Sequence, residues 1–194
     1  MAEKPPELDQ EQVQKTKSKD LHGLVGKTLV GRYSVESVLG VGGMGVVYKA
    51  HQASVDREVA IKVLMPEMIT DESLIKRFEL EARASSRLSH PNTITVYDFG
   101  RDDDLLYIVM ELLRGKSLEE EIRSTGALQW SRAVSITAQC CSSLAEAHEK
   151  GIVHRDIKPD NIYLQSIESG RDFVKVLDFG VAKLRDKGVQ DVTL

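Results

Sequence analysis

Hydrophobic and polar positions change their spacing several times along the chain, and each change predicts a different kind of segment. Residues 1–28 are rich in Lys, Gln and Glu and carry few large apolar side chains. This composition is typical of a flexible, solvated tail. From residue 32 to residue 65, short β-rich runs start at Tyr33, Val46 and Val59, with a glycine cluster between the first two runs. We therefore predict an antiparallel sheet built from hairpins after the tail.

Helical spacing follows in two later stretches, with strands between them. Residues 71–88 contain strong helix formers, with acidic residues early and Arg87 late, as the helix dipole favours. Residues 93–99 and 105–113 predict two strands around an Asp-rich turn. Residues 126–151 place apolar or small side chains at helical spacing. We predict that this stripe is core rather than a binding site: Ala133, Ile136, Cys140, Leu144 and Ala147.

Composition limits the binding partners and the cellular location that we expect for this chain. The 194 residues are 41% hydrophobic, which is enough for a core, and the net charge of -4 gives no reason to expect nucleic acid or an anionic membrane as partner. No apolar run is long enough to span a bilayer, and the first residues lack a signal-peptide pattern, so we expect a cytoplasmic chain. The adjacent Cys140 and Cys141 diverge on a helix, which argues against a disulfide or a zinc site.

The glycine cluster predicts phosphate binding. Gly40, Gly42 and Gly45 have the G-x-G-x-x-G spacing of a dinucleotide fold or of a kinase loop. In a dinucleotide fold the third glycine opens a helix, whereas here a β-rich run follows. An ordinary glycine-rich hairpin is the remaining alternative if no other motif agrees. The segment 23–28, "GLVGKT", is excluded as a P-loop because Leu21 stands where the first glycine belongs.

Further motifs agree with the kinase alternative and come in the expected order. They are "GGMG" at 42–45, "VAIK" at 59–62, "HRDIKPDN" at 154–161 and "DFG" at 178–180. Over about residues 29–194 the chain resembles a eukaryotic-like serine/threonine protein kinase of the bacterial branch. The resemblance implies an α+β, two-lobed fold, with a small antiparallel sheet lobe at 29–111. An incomplete, mainly helical second lobe is then expected at 112–194, where the chain ends in the activation loop.

The resemblance also implies an ATP pocket. The glycine backbone would lie close to the phosphates, Lys62 would reach the α- and β-phosphates, and Met110 would be the gatekeeper. The carbonyl of Glu111 and the amide of Leu113 would bind the adenine edge. The expected nucleotide contacts come from the glycine hairpin, the lysine strand, the hinge and the floor: Leu39, Gly40, Val41, Gly42, Gly43, Met44, Gly45, Val46, Val47, Ala60, Lys62, Met110, Glu111, Leu113 and Tyr163.

Lys62 needs a carboxylate partner because it is flanked by apolar residues. The helix predicted at 71–88 offers Glu81 and Glu79, which point to different faces, so only one of them can serve. Matching the end of this helix to the family's "HPN" segment, here at 90–92, favours Glu81.

The resemblance assigns the phosphoryl-transfer chemistry to the later motifs. Asp156 would accept or orient the proton of the substrate hydroxyl, and Lys158 would neutralise the transferred phosphate. Asn161 and Asp178 would bind Mg²⁺, or Mn²⁺ in its place. The expected substrate is a serine or threonine hydroxyl on a protein, as in a signal-transduction kinase.

The chain ends inside the expected activation segment, where Thr193 is a candidate phosphorylation site and Arg155 its expected partner. The Ala-Pro-Glu motif and the helices that follow it in the family are not in this sequence. We therefore expect the core stripe of the helix at 126–151 to face partly into water unless a second chain supplies the missing part. Two alternatives to an active kinase stay open: a catalytically impaired ATP-binding or interaction module, and, with a poorer motif match, a small-molecule phosphotransferase.

Overall fold

The computed structural model describes residues 20–43, 45–166 and 171–179. Met44 and residues 180–194, which include Thr193, lie outside the described residues, as do residues 1–19 of the predicted tail. The chain divides into two units, one of residues 1–75 and 96–112 and the other of residues 76–95 and 113–194. The segment 76–95 therefore belongs with the second unit, although the sequence placed it inside a first lobe at 29–111.

The first unit is a six-stranded antiparallel sheet in the order β1-β2-β3-β4-β6-β5. Its strands follow the predicted hairpins closely and have these bounds: β1 Thr28–Leu29, β2 Tyr33–Val41, β3 Gly45–Gln52, β4 Arg57–Leu64, β5 Val96–Asp102 and β6 Leu105–Glu111. Short 3-10 turns at Ala53–Val55 and Pro66–Met68 follow β3 and β4. The predicted antiparallel sheet lobe is therefore confirmed.

The hydrophobic core of this unit lies on one face of the sheet. Side chains alternate between the two faces of a strand, so alternate residues of β3 and β4 enter the core while their neighbours do not. Tyr48, Ile61 and Val63 are fully buried in this way. The strand residues of the core are Tyr33, Val35, Val46, Tyr48, Ala50, Val59, Ile61, Val63, Tyr107 and Val109.

Residues 20–28 correct the prediction of a flexible tail over 1–28. Leu24 is buried in the core of the sheet unit, and Leu29, which follows in β1, is buried beside it. The amide of Gly26 donates to the carbonyl of Val35 at 2.9 Å, and the amide of Val35 donates to Lys27 at 2.9 Å. The sequence is polar on average here, but two well-placed leucines and backbone pairing are enough to fix the segment.

The second unit combines helices with a small sheet. Most of α1, Glu72–Ser86, belongs to it, together with α2, Leu118–Thr125, and α3, Trp130–Glu149. Strands β7, Lys116–Ser117, β8, Ile162–Ser166, and β9, Asp172–Val176, form an antiparallel sheet in the order β7-β8-β9. A 3-10 turn, Pro159–Asn161, leads into β8.

Helix α3 buries the stripe that the sequence marked as core. Ile136, Cys140 and Ala147 are buried in the core of the second unit, and Leu144 is packed against that core. Ala133 and Leu144 are half-buried, so the expectation that the stripe faces partly into water holds for these two residues and is wrong for the three buried ones. The exposed positions lie elsewhere on α3, because β8 and β9 supply buried partners such as Leu164 and Val174 for the stripe.

The exposed side of α3 carries two large apolar side chains. Trp130 is 80% exposed and Val134 is 60% exposed. Cys141 is exposed while Cys140 is buried, and both thiols are free. The apolar surface of α3 is thus divided between a covered stripe and a bare one.

A buried carboxylate connects α2 to its neighbours, although no sequence pattern predicted it. Helix α2 starts with a capping box in which Ser117 and Glu120 bond each other's backbone amides. On the same helix, buried Glu121 forms ion pairs with Lys116 at 2.5 Å and with Arg132. Arg132 also pairs with Asp172 at 2.8 Å. These charges therefore link α2, α3, β7 and β9.

A second polar tie holds the segment between α1 and β5 to α3. One carboxylate oxygen of Glu146 accepts from the amide of His90 at 2.8 Å, and the carboxylate also accepts from the amide of Ser89. The Lys150 ammonium, whose bond to Glu146 has the largest effect, holds the pKa of that carboxyl down at about 2. Lys150 also donates to the carbonyl of Arg87 at 2.8 Å.

Candidate functional site

The face of the first sheet that lies opposite its core gathers residues that were predicted to bind nucleotide. Lys62 on β4 pairs in register with Val47 on β3, and Ala60 pairs with Met110 on β6. Residues that are directly opposite in an antiparallel sheet share a face, and so do residues two apart along a strand. The four side chains therefore lie on one face, opposite the core. Gly40 also joins this face through its pairing with Val47.

Val46 is an exception among the predicted contacts. Its side chain is fully buried in the core of the sheet unit. Because it alternates with Val47 along β3, its side chain lies on the face opposite Lys62. Only the backbone of Val46 is therefore available to a ligand on the lysine face. Leu39 and Val41, at the end of β2, are exposed.

The glycines of the hairpin have different structural roles. The amide of Gly42 donates to the carbonyl of Gly45 at 2.9 Å, which closes the turn. A Cβ at Gly45 would lie 2.3 Å from the carbonyl oxygen of Val63, so packing against β4 requires glycine there. At Gly40 and Gly43 a Cβ would meet nothing within 4 Å. No atom of the described residues therefore occupies the space next to these two glycines. A phosphate site needs such open space beside the backbone.

Lys62 and its predicted partner Glu81 are both buried, each being 8% exposed. The alternative partner Glu79 is half-buried. Lys62 belongs to the first unit and both glutamates to the second. The pairing of Lys62 with Glu81 therefore stays a prediction.

In the second unit the loop 154–161 arranges its polar side chains around Asp156. Lys158 Nζ lies 3.0 Å from Asp156 Oδ2, and Asn161 Nδ2 donates to the same oxygen at 3.0 Å. Asn161 Nδ2 also donates to the backbone carbonyl of Asp156 at 2.9 Å. The hydrogen bond from Lys158, more than any other contact, lowers the pKa of Asp156. The half-exposed carboxylate is therefore ionised at neutral pH and ready to accept a proton or a hydrogen bond.

His154 fixes the position of the segment around Asp178. Its Nε2 donates to the carbonyl of Leu177 at 2.8 Å, while its Nδ1 accepts from the amide of Asp156 at 3.3 Å. Burial lowers the pKa of His154, which agrees with this neutral tautomer. The ring packs against Phe179 with 4.7 Å between centroids. The same histidine therefore supports both the Asp156 loop and the segment that carries Asp178.

Asn161 and Asp178 are neighbours through the backbone. The amide of Leu177 donates to the carbonyl of Asn161 at 2.9 Å, and Asp178, which follows, has the left-handed φ of 46°. Because both partners of Asn161 Nδ2 are acceptors, they fix the orientation of the side-chain amide. An amide oxygen and a carboxylate suit Mg²⁺. Among the described residues there is no cluster of three or more His, Cys, Asp or Glu side chains that could hold a metal ion.

The family model for the protein kinase domain matches residues 33–193. The chain belongs to the protein kinase domain family. This membership confirms the resemblance inferred from the glycine, lysine, "HRDIKPDN" and "DFG" motifs.

Two curated relatives of this kinase domain come from bacteria. The serine/threonine-protein kinase Pkn3 of Myxococcus xanthus is 45% identical over 168 residues, which cover 86% of this chain and 31% of Pkn3. PrkC of Bacillus subtilis is 45% identical over 159 residues, which cover 82% of this chain and 24% of PrkC. The chain therefore spans only about a quarter to a third of the length of these relatives.

Solved structures give the same family and fold. The PknI kinase domain of Mycobacterium tuberculosis is 32% identical, with a TM-score of 0.70. The match covers 81% of this chain and 63% of the PknI domain. The kinase-like fold predicted from the motifs is therefore confirmed, in partial form. No helix within the described ranges is long and apolar enough to cross a membrane.

The hinge side of the kinase domain contains a contact that the sequence did not predict. Met110 and Glu111, near the end of β6, and Leu113, just beyond it, are half-buried. Tyr163, predicted as the adenine floor, donates its hydroxyl proton to the carbonyl of Gly115 at 2.8 Å. A Cβ at Gly115 would lie 2.0 Å from the carbonyl oxygen of Leu164, so only glycine fits there. In the sequence, Gly115, shortly after the predicted hinge, was the signal that could have indicated this close backbone approach.

Proposed function

We propose that this chain is the amino-terminal part of a serine/threonine protein kinase domain that binds ATP with Mg²⁺, or Mn²⁺, and phosphorylates protein hydroxyls. The single observation that carries the proposal is the ionised Asp156, held by Lys158 and Asn161 beside the segment of Asp178. The names of the curated relatives, which are serine/threonine-protein kinases, support the substrate class. As a protein kinase, the proposed enzyme is a transferase that acts in signal transduction.

In the proposed reaction, the serine or threonine hydroxyl oxygen attacks the γ-phosphorus of ATP. The bond between the γ-phosphorus and the β,γ-bridging oxygen breaks, and ADP leaves with that electron pair. Asp156 accepts the hydroxyl proton, while Lys158 offsets negative charge on the phosphoryl group. The lowered pKa of Asp156 supports this role because the carboxylate is unprotonated when the substrate arrives.

The nucleotide contacts proposed in the first unit follow the face that carries Lys62. Val47 and Ala60 would cover the adenine, with Met110 behind it, and the open backbone at Gly40 would approach the phosphates. Lys62 would bind the α- and β-phosphates, with Glu81 as its carboxylate. On the second unit, Asn161 Oδ1 and Asp178 would hold the metal ion, which neutralises phosphate charge when bound.

The proposed partners and location follow from the same chemistry. ATP and a protein substrate are required, and the cytoplasm supplies both. The exposed Trp130 and Val134 of α3 support a further partner, namely polypeptide that completes the second lobe, for example from a second chain. The same bare surface favours the alternative function, an ATP-binding or interaction module that transfers phosphate poorly by itself.

Binding and transfer are tested with two variants of the purified chain, each with a matched control. Lys62→Ala should weaken Mg-ATP binding by about tenfold or more, because a charge-assisted contact is lost. Lys49→Ala is the control, since Lys49 lies on neighbouring β3 in a surface network with Glu36 and Glu58. Binding is measured by calorimetric titration. Equal affinities for both variants, or no binding by the unaltered chain, would remove the nucleotide part of the proposal.

Asp156→Asn should leave the Mg-ATP affinity within about twofold but reduce phosphoryl transfer by roughly a hundredfold, as expected for loss of a general base. Asp160→Asn is the control, because Asp160 is exposed in the same loop. Transfer from γ-labelled ATP to a generic protein substrate is the measurement. Binding without any transfer would favour the ATP-binding module, and transfer unaffected by Asp156→Asn would exclude the assigned base.

A further inference from the structure

Residues 113–117, which we name the hinge exit, lead from the predicted hinge into α2. The last two of them form β7, which pairs in register with Tyr163 and Leu164 of β8. A Cβ at Gly115 would clash with the backbone carbonyl of Leu164, so the two backbones touch at this point. The hinge exit therefore lies directly against β8, and both belong to the second unit.

The end of the hinge exit next to α2 is held by two side-chain contacts. The hydroxyl of Ser117 accepts from the amide of Glu120 at 3.1 Å, as part of the capping box. The ammonium of Lys116 pairs with the buried carboxylate of Glu121 at 2.5 Å. Both contacts are made by the last two residues of the hinge exit. A contact at Gly115 therefore acts closer to the hinge than either of them.

The hydroxyl of Tyr163 makes such a contact. It donates to the carbonyl oxygen of Gly115 at 2.8 Å. Burial, followed by the nearby carboxylate of Glu120, raises the pKa of Tyr163. The hydroxyl therefore keeps its proton at neutral pH and stays a donor. Because the tyrosine side chain is half-buried on β8, it connects the hinge exit to an element that is itself paired on both sides.

A hydrogen bond at Gly115 restricts the residue of the hinge exit that most needs restriction. Glycine has more backbone freedom than any other residue, and Gly115 has a φ of 155°. It stands two residues after Leu113, whose amide is the proposed donor to the adenine edge. Movement at the glycine would shift this amide. A ligand that binds a segment already held in place loses less conformational entropy, and its affinity is higher for that reason.

We propose that the Tyr163 hydroxyl is a positioning group for nucleotide binding, which holds the carbonyl of Gly115 and thereby fixes the Leu113 amide. The inference rests on the proposed ATP site. It gives Tyr163 a role that its ring, as the expected adenine floor, does not supply. Because the effect acts at the base, loss of the hydroxyl weakens adenine-containing ligands by the same factor with or without phosphates.

The test compares the dissociation constants of Mg-ATP and adenosine for the complete chain, measured by calorimetric titration. Tyr163→Phe keeps the ring and removes the hydroxyl, and it should weaken both ligands roughly fivefold, the size expected for one neutral hydrogen bond. Lys62→Ala should weaken Mg-ATP and leave adenosine unchanged, because the lysine would bind phosphates. In the ligand-free chain, amide hydrogen exchange within residues 114–117 should be faster in Tyr163→Phe.

Thr125→Val is the matched control. It removes a hydroxyl of the same unit that donates to the carbonyl of Glu121 at 2.9 Å, within α2. This variant should bind both ligands as the unaltered chain does. A loss of affinity equal to that of Tyr163→Phe would show a general loss of stability and overturn the positioning role.

The remaining outcomes separate this inference from the proposed function. If Lys62→Ala weakens Mg-ATP while Tyr163→Phe changes neither ligand, the positioning role is wrong and the proposed ATP site stands. If Tyr163→Phe weakens Mg-ATP but not adenosine, its effect lies at the phosphates, and the positioning role is again wrong. If the unaltered chain binds neither ligand, the proposed function and this inference are overturned together.

Discussion

The two units of the chain are stabilised in different ways. The sheet unit has a single apolar core in which long side chains from several strands are fully buried, including Tyr48, Ile61 and Val109. The second unit has a core around α3, but buried or partly buried charges connect many of its elements, as Glu121 does with Arg132. Apolar packing tolerates changes of pH and salt, whereas hydrogen-bonded charges depend on both. We therefore expect the two halves of this kinase domain to respond to different perturbations.

The largest effect is expected from a cavity in the sheet core. Ile61→Ala removes buried methyl and methylene groups from a fully buried site and should destabilise the sheet unit by about 3 kcal/mol. Val55→Ala, at an exposed apolar residue of the same unit, should change stability by less than about 0.5 kcal/mol. Hydrogen exchange of the sheet amides measures both. A small effect of Ile61→Ala would mean that this core is not the main support of the unit.

An intermediate effect is expected from the polar tie at Glu146. Glu146→Gln loses the carboxylate that holds Ser89, His90 and Lys150, and should destabilise the second unit by roughly 1–2 kcal/mol. The exposed Glu149, on the same helix, gives the control Glu149→Gln. Exchange of the α3 amides relative to the sheet amides is the measurement.

The stabilisation that Glu146 contributes to the second unit should also depend on pH. Because the folded state holds the pKa of Glu146 at about 2, below its usual 4.5, the stabilisation is complete above pH 4.5 and is lost as pH falls toward 2. The difference between the unaltered chain and Glu146→Gln should shrink over that range. The cost of Ile61→Ala in the sheet unit should stay constant there. A cost of Glu146→Gln that is equal at pH 6 and pH 3 would contradict the assigned ion pair.

The smallest effect is expected on the bare side of α3. Trp130→Ser removes a side chain that is 80% exposed and should alter stability by less than about 0.5 kcal/mol. Ile136→Ala, two turns away on the buried stripe, should cost about 2–4 kcal/mol. Urea unfolding followed by circular dichroism compares the two. Similar costs would show that the bare side is covered in solution, for example by a second copy of the chain.

The sequence was most informative where local chemistry dictates structure. Hairpin strands, the helical stripe of α3 and the motif residues could be predicted because periodicity and glycine spacing are local signals. The capping box at Ser117 is also a local signal, because "SLEE" places a glutamate three residues after the serine. Which side of α3 would be bare depended instead on the position of β8 and β9. The buried pairing of Glu121 and Arg132 likewise requires contacts between residues 11 apart and on different helices, which no local pattern encodes.

In the candidate site, too, some features follow from local sequence and others depend on the tertiary fold. The positions of Lys62, Asp156 and Asn161 follow from their motifs, and the role of the glycine at 45 follows from hairpin geometry. The support that His154 gives to Leu177 needed the folded loop, because a histidine in a motif does not reveal its tautomer or its partner. The core position of Val46 was missed because the motif names neighbouring residues without assigning them to a face of the strand.

The buried leucines of the segment before β2 have a practical consequence for expressing this domain. A recombinant polypeptide that starts at residue 33, where the family match begins, lacks Leu24 and Leu29. The apolar surface they cover would then face the solvent and favour aggregation. A polypeptide that starts at Asp20 keeps both leucines and the carboxylate that organises the turn. The domain boundary for purification should therefore be drawn by burial and not by the extent of sequence similarity.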